Sequence, residues 1–200
     1  MPDISMESFT LGTIICRFKV PLDVIDEINK DYDNAKDLPA HNQNLAGKIA
    51  EEFKVTDILS KNTKSLFTTC FRQYLMTVQK PLWHVSLENA WINDMKANEY
   101  NPFHTHFGRT DLGLSSVLPL KIPDSYGSEI TRPDMPANGH LEFIGGNADL
   151  LGKNSLKTNV EEGQFYIFPY SLMHGVYPFY DTDEKRRTLS YNCDLIRMGA

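Results

Sequence analysis

A chain of 200 residues, 41% hydrophobic and 23% charged with a formal charge of −6, is of ordinary single-domain size and composition. Its 20 Lys and Arg gather into no basic stripe, so nucleic acid is not expected as a partner, although a local basic groove is not excluded. No apolar run reaches the length of a membrane span, and Met1-Pro2-Asp3-Ile4 lacks the basic-then-apolar plan of a signal peptide. A cytoplasmic location is therefore expected. Cys16, Cys70 and Cys193 are odd in number and far apart, which suits reduced thiols rather than a disulfide frame or zinc knuckle.

Leu11 to Val20 is apolar and β-branched in its middle and reads as an opening strand. Pro21 breaks it. Leu22, Ile25 and Ile28 then recur at helical spacing, so an amphipathic helix starts at Leu22. Asn44 to Phe53 and Ser60 to Gln79 read as two more helices. The second carries Leu66, Phe67, Cys70, Phe71, Tyr74 and Leu75, a broad stripe best explained by packing against a sheet. After Pro81 the pattern changes. Val85 to Met95, Leu112 to Ile122, Gly139 to Ile144, Gln164 to Phe168, His174 to Phe179 and Arg187 to Ile196 read as strands separated by turn residues. Short strands without helices between them predict an antiparallel sandwich or barrel. No linker divides the chain. A single α+β domain over 1–200 is expected, mainly β, with a strand and helical buttress over 1–80 and a β core over 81–200.

Three of the six histidines form an early pair, His104-Thr105-His106, and a late single, His174. Residues i and i+2 of an extended chain share a face, so the pair can offer both imidazoles to one ion. Asn101-Pro102 just before it is a turn signal, placing the pair near a sheet mouth. His174 enters from a neighbouring strand after Pro169 and completes a facial ligand set. An HxH pair alone is common by chance, and imidazole suits Fe, Zn, Cu and Ni alike. His41 reads as solvated, His84 beside Trp83 as packing, and His140 as a pocket residue without a partner motif.

Twelve residues beyond His174 comes Arg186-Arg187-Thr188-Leu189-Ser190-Tyr191-Asn192. Alternation puts Arg186, Thr188, Ser190 and Asn192 on one face. A guanidinium grips a carboxylate with two parallel hydrogen bonds, and a hydroxyl two residues on adds a third. That arrangement fits the distal carboxylate of 2-oxoglutarate. The plainer reading, a solvated charge run over Asp183-Glu184-Lys185-Arg186-Arg187, loses weight because the pair lies one strand after His174. Glu161-Glu162 fits a solvated face, and no GxSxG, HExxH or P-loop occurs. Ser115-Ser116, Trp91, Tyr100, Tyr177 and Phe179 can wall a pocket, but for each alone local packing is the better explanation.

At Asn101-Pro102-Phe103-His104-Thr105-His106, Ile167 to Phe179 and Arg186 to Asn192 the chain resembles iron(II)- and 2-oxoglutarate-dependent oxygenases of viral and bacterial genomes. Those share an NPxHxH segment and a late IFPxxLxHxVxPF…RxSxSxN segment, and here Thr188 stands where the pattern has serine. The resemblance covers Trp83 to Asp194. It implies a double-stranded β-helix (jelly-roll) fold, Fe(II), 2-oxoglutarate and O2 as cofactor and cosubstrates, and His104 and His174 as iron ligands. It also implies Arg186, helped by Thr188, as the 2-oxoglutarate clamp, and hydroxylation of a C–H bond with release of succinate and carbon dioxide. The wider superfamily has a carboxylate where this chain has His106. A three-histidine site, with one more unit of positive charge at the metal, is therefore expected, with Asp111 as the alternative third ligand. The substrate is left open between a protein side chain, such as prolyl, and a small molecule. A homodimer is compatible with the sequence. The rival readings are a three-histidine dioxygenase that ignores 2-oxoglutarate and a cupin-type metal-binding module without turnover.

Overall fold

The computed structural model describes residues 12–42, 47–129, 134–146 and 153–197. Among these residues two helices, α1 (Leu22–Asn34) and α2 (Lys61–Thr77), accompany ten strands. The strands are β1 (Cys16–Lys19), β2 (Glu52–Lys54), β3 (Trp83–Met95), β4 (Asn101–His104), β5 (Gly113–Lys121), β6 (Leu141–Ile144), β7 (Ser155–Thr158), β8 (Gln164–Pro169), β9 (Met173–Val176) and β10 (Arg186–Arg197). They form a six-stranded sheet, β1-β8-β5-β10-β3-β2, and a four-stranded sheet, β4-β9-β6-β7. Every pairing is antiparallel.

The helices cover the outer face of the larger sheet. Ser60 caps α2, its side chain accepting from the Thr63 N–H at 3.1 Å. The stripe read from the sequence then meets the sheet: Phe67 and Phe71 pack on Phe165 and Tyr191, with ring centroids 4.9 to 6.5 Å apart. Removing each such aromatic ring from water contributes on the order of 2–3 kcal/mol. Ile25, Ile28 and Tyr32 of α1 join the same core as Leu118, Leu120 and Leu189 of the sheet. The larger sheet is thereby dry on its outer face, and its inner face turns toward the smaller sheet.

Arg187 ties α1 to that arrangement. Its Nε and Nη2 reach Asp94 at 2.6 and 2.9 Å, and its Nη1 reaches Asp33 at 2.8 Å and Asn29 at 3.1 Å. Its guanidinium also lies 4.5 Å from the centre of the Tyr32 ring. Strand alternation sends Arg187 outward and Arg186 inward, so two adjacent arginines meet different surroundings.

The helix expected over Asn44 to Phe53 is corrected. Its first residues lie outside the described ones. From residue 47 on the chain is irregular, forms a bridge from Lys48 to Tyr100, and becomes β2 at Glu52. Pairing with the edge of β3, Glu52 opposite Asn93 and Lys54 opposite Trp91, satisfies backbone groups that a short helix would satisfy internally, and Gly47 weakens the helical alternative. The opening strand is shorter than expected, Cys16–Lys19, and Leu11 lies outside the described residues. The strand β7 was not anticipated, and the extended chain expected at His104 and His106 is β4, which ends at His104. No helix among the described residues is long and apolar enough to cross a membrane.

Candidate active site

Antiparallel pairing of β4 with β9 sets His104 directly opposite His174. His106 follows two residues later, just beyond the end of β4. One nitrogen from each of the three rings lies within 4.8 Å of the others, and they form the only group among the described residues that could hold a metal ion in this way. The Nδ1 of His104 sits 2.7 Å from the Pro102 carbonyl, and the Nδ1 of His174 sits 3.0 Å from the Leu172 carbonyl. Each Nδ1–H is thus taken up by backbone, which leaves Nε2 as the free lone pair. The Nε2 atoms of His106 and His174 are 3.1 Å apart. Two bare lone pairs at that distance repel, whereas two nitrogens about 2.1 Å from one ion and at right angles to each other are about 3 Å apart. The arrangement fits a shared cation.

Burial keeps these rings neutral. It lowers the pKa of His106 well below the ordinary value, helped by the charges of His174 and His104, and lowers that of His174 to about 3. His104 is also lowered by burial, opposed by its bond to Pro102. Neutral imidazole is the form that ligates.

The imidazoles open into a narrow cleft between the sheets. Trp91, Asn93 and Met95 of β3 and Arg186, Thr188 and Ser190 of β10 line one side, and Leu141 and Val176 line the other. Arg186 lies at the far end, 2% exposed, with Nε and Nη2 making no hydrogen bond. The hydroxyl of Tyr126 lies close enough to interact with it, although it makes no hydrogen bond of ordinary geometry. Burial pulls the Arg186 pKa down, offset by Tyr126, but a guanidinium stays charged. A buried, charged fork with two unbonded nitrogens is costly unless an anion completes it. The residues therefore fit a carboxylate ligand at this end.

Tyr126 gave no sequence signal, because it stands in an irregular segment sixty residues from Arg186. Gly139 places it. Its φ is +68°, and a Cβ there would lie 2.3 Å from the Tyr126 ring. Gly139→Ala should strain the turn and push Tyr126 from its position, costing about 1–3 kcal/mol of stability. It should also weaken 2-oxoglutarate binding while metal affinity is unchanged; a titration of each ligand against the variant checks this.

His104, His106, His174, Arg186 and Thr188 are thus gathered around one cleft. Asp111 is exposed and outside the imidazole group. Trp91 lines the cleft, whereas Phe179 packs with Ile49 and Met95, Tyr177 donates to Glu142, and Tyr100 is exposed. Ser116 bonds the Tyr191 carbonyl, and neither it nor Ser115 reaches the cleft. His41, expected in solvent, is half-buried with its ring 5.2 Å from Trp91. His84 is exposed, and His140 lies outside the cleft lining.

A family model described as "Putative 2OG-Fe(II) oxygenase" matches residues 89–192, just over half of the chain. The chain belongs to the 2OG-Fe(II) oxygenase family. Iron(II) and 2-oxoglutarate are the cofactor and cosubstrate of this family. Solved structures agree on the fold. A prolyl-4-hydroxylase from Pseudomonas putida is similar at a TM-score of 0.57 and 14% identity, over 92% of this chain and 93% of that one. The viral collagen prolyl hydroxylase vCPH from Paramecium bursaria Chlorella virus-1, a 2-oxoglutarate complex, gives 0.56 and 11% over 90% and 96%. HygX from Streptomyces hygroscopicus with iron bound gives 0.55 and 11% over 92% and 82%. The two sheets of this family member are accordingly the two halves of a double-stranded β-helix, the jelly-roll expected from the sequence. No curated protein sequence matches the chain.

Proposed function

We propose that this chain is an iron(II)- and 2-oxoglutarate-dependent hydroxylase in which His104, His106 and His174 hold the metal. Arg186, with Thr188 and Tyr126, holds the distal carboxylate of 2-oxoglutarate. The observation that carries the reading is the buried Arg186 guanidinium, with Nε and Nη2 unbonded and no acid paired to it, in the same cleft as the three imidazoles. Iron supplies the oxygen chemistry when bound: one atom of O2 enters succinate as 2-oxoglutarate loses carbon dioxide, and the other converts a substrate C–H into C–OH.

The protein's own groups bind, orient and exclude water. The Pro102 and Leu172 carbonyls fix the rings of His104 and His174. Trp91, Val117, Leu141 and Val176 provide an apolar wall that strengthens the charge interaction with Arg186. The substrate proposed first is a polypeptide side chain, prolyl included, in line with the prolyl hydroxylases of similar fold; a small molecule is the alternative.

Anaerobic titration with Fe(II) and then 2-oxoglutarate tests the reading. A metal-to-ligand charge-transfer band that needs both components is expected. A metal-binding module, or a dioxygenase indifferent to 2-oxoglutarate, gives none. His106→Ala should lower iron affinity by at least about 10-fold. Full iron occupancy in that variant would remove His106 from the ligand set.

A further inference from the structure

His106 is held differently from its two neighbours. His104 belongs to β4 and His174 to β9, and the Nδ1 of each rests against a carbonyl. His106 lies past the end of β4, and no carbonyl orients its ring among the described residues. Its placement depends on the backbone. The His106 N–H donates to the Tyr170 carbonyl at 2.9 Å, and the Tyr170 N–H donates to the Gly113 carbonyl at 2.9 Å. Tyr170 thus bridges the start and the end of the loop that carries His106 toward β5.

Tyr170 is in turn anchored from β10. Its hydroxyl, in a side chain 1% exposed, donates to Oδ1 of Asp194 at 3.1 Å. The other oxygen of Asp194 accepts from the Arg109 N–H at 2.9 Å. Asp194 is itself 2% exposed. A Cβ at residue 108 would lie 1.9 Å from Asp194 Oδ1, so only glycine lets the loop come this close. The Arg109 side chain then crosses to Glu88 at 3.0 Å. One buried carboxylate therefore grips both the loop that follows His106 and the residue that bonds the His106 backbone.

We propose that Asp194 and Tyr170 are positioning residues of the metal centre, a buttress that brings the third imidazole to the other two. The proposal rests on the three-histidine reading of the site. Neither side chain lines the cleft, so neither is a catalytic residue. A merely structural pair would affect the stability of the fold and leave the metal site as it was. A buttress acts on the metal site itself, and supporting partners of metal ligands are worth roughly 10- to 100-fold in affinity.

Titration of the metal-free protein with Co(II), followed by its visible absorption bands, separates the two. Tyr170→Phe and Asp194→Ala should each weaken Co(II) binding by roughly 10-fold or more and shift the bands toward those of His106→Ala. Asp194→Asn keeps an amide oxygen that accepts from Tyr170 or Arg109, and should recover most of the affinity. Tyr170→Phe removes one hydroxyl and decides the question if Asp194→Ala does not fold. Wild-type Co(II) affinity and bands in Tyr170→Phe, with binding lost in His106→Ala, overturn the buttress and leave the three-histidine reading standing. Wild-type binding in His106→Ala removes the three-histidine reading and the buttress together.

Discussion

Arg186→Met should raise the dissociation constant of 2-oxoglutarate by a factor of at least about 30 and leave the ligand-free fold as stable as before, or more so. The two halves of this result have one cause. The guanidinium is 2% exposed, and its Nε and Nη2 have no partner in the ligand-free chain. Removing one side of a buried, hydrogen-bonded charge pair costs about 2–5 kcal/mol, which corresponds to roughly 30-fold to several thousand-fold in affinity. Without the ligand the same charge is a burden, and a hydrophobic side chain of similar volume in place of a buried ion is often stabilising by about 1–4 kcal/mol. Calorimetric titration with 2-oxoglutarate and thermal unfolding of the apo protein read the two effects separately. Unchanged 2-oxoglutarate affinity would place the clamp elsewhere. Arg187 should behave in the opposite way, because Asp94, Asp33 and Asn29 already complete its hydrogen bonds and its loss leaves carboxylates unpaired.

Glu52→Gln should make the fold more stable above neutral pH by about 3 kcal/mol and remove the fall in stability that Glu52 causes between about pH 4.5 and 7. Glu52 is fully buried on β2, and neither carboxyl oxygen has a hydrogen-bond partner. Burial, and secondarily the charge of Glu99, pushes its pKa from 4.5 up to about 7. The folded chain therefore keeps a proton that the unfolded chain has released across this window. The contribution to stability is whole below about pH 4.5 and is lost as the pH rises through about 7. The three clustered histidines slope the other way: His104, His106 and His174 have lowered pKa values, so they erode stability as the pH falls below 6.5. The difference between wild type and Glu52→Gln isolates the carboxyl. Urea unfolding across pH 5 to 9 measures it, and parallel curves for the two proteins would show that Glu52 is ionised throughout.

Much of the β core was readable because its elements obey simple periods. The stripe on α2 repeats at helical spacing and is buried at Phe67, Cys70, Phe71, Tyr74 and Leu75. The long strands β3, β5 and β10 carry enough apolar residues to declare themselves. The inward face of Arg186 and Thr188 followed from alternation, and so did the outward face of Arg187. The segment before β2 misled because its few apolar residues suit helical spacing as well as strand spacing, and pairing with β3 decided between them. Tyr126 and Asp194 were missed for a related reason. Each acts on a residue distant in sequence, Tyr126 on Arg186 and Asp194 on Tyr170 and Arg109.

By itself the order of residues determined which groups can ligate, which face of each strand they occupy, and that an imidazole rather than a carboxylate follows two residues after His104. Those properties depend on chemical identity and on a backbone period of two, and both are local. Only the tertiary structure decided that the Nε2 atoms of His106 and His174 come within 3.1 Å, that one arginine is paired with acids and its neighbour keeps two unbonded nitrogens, and that a carboxylate on β10 bonds the loop after β4. These depend on strand register and on the closeness of segments far apart in the chain, which no local rule contains.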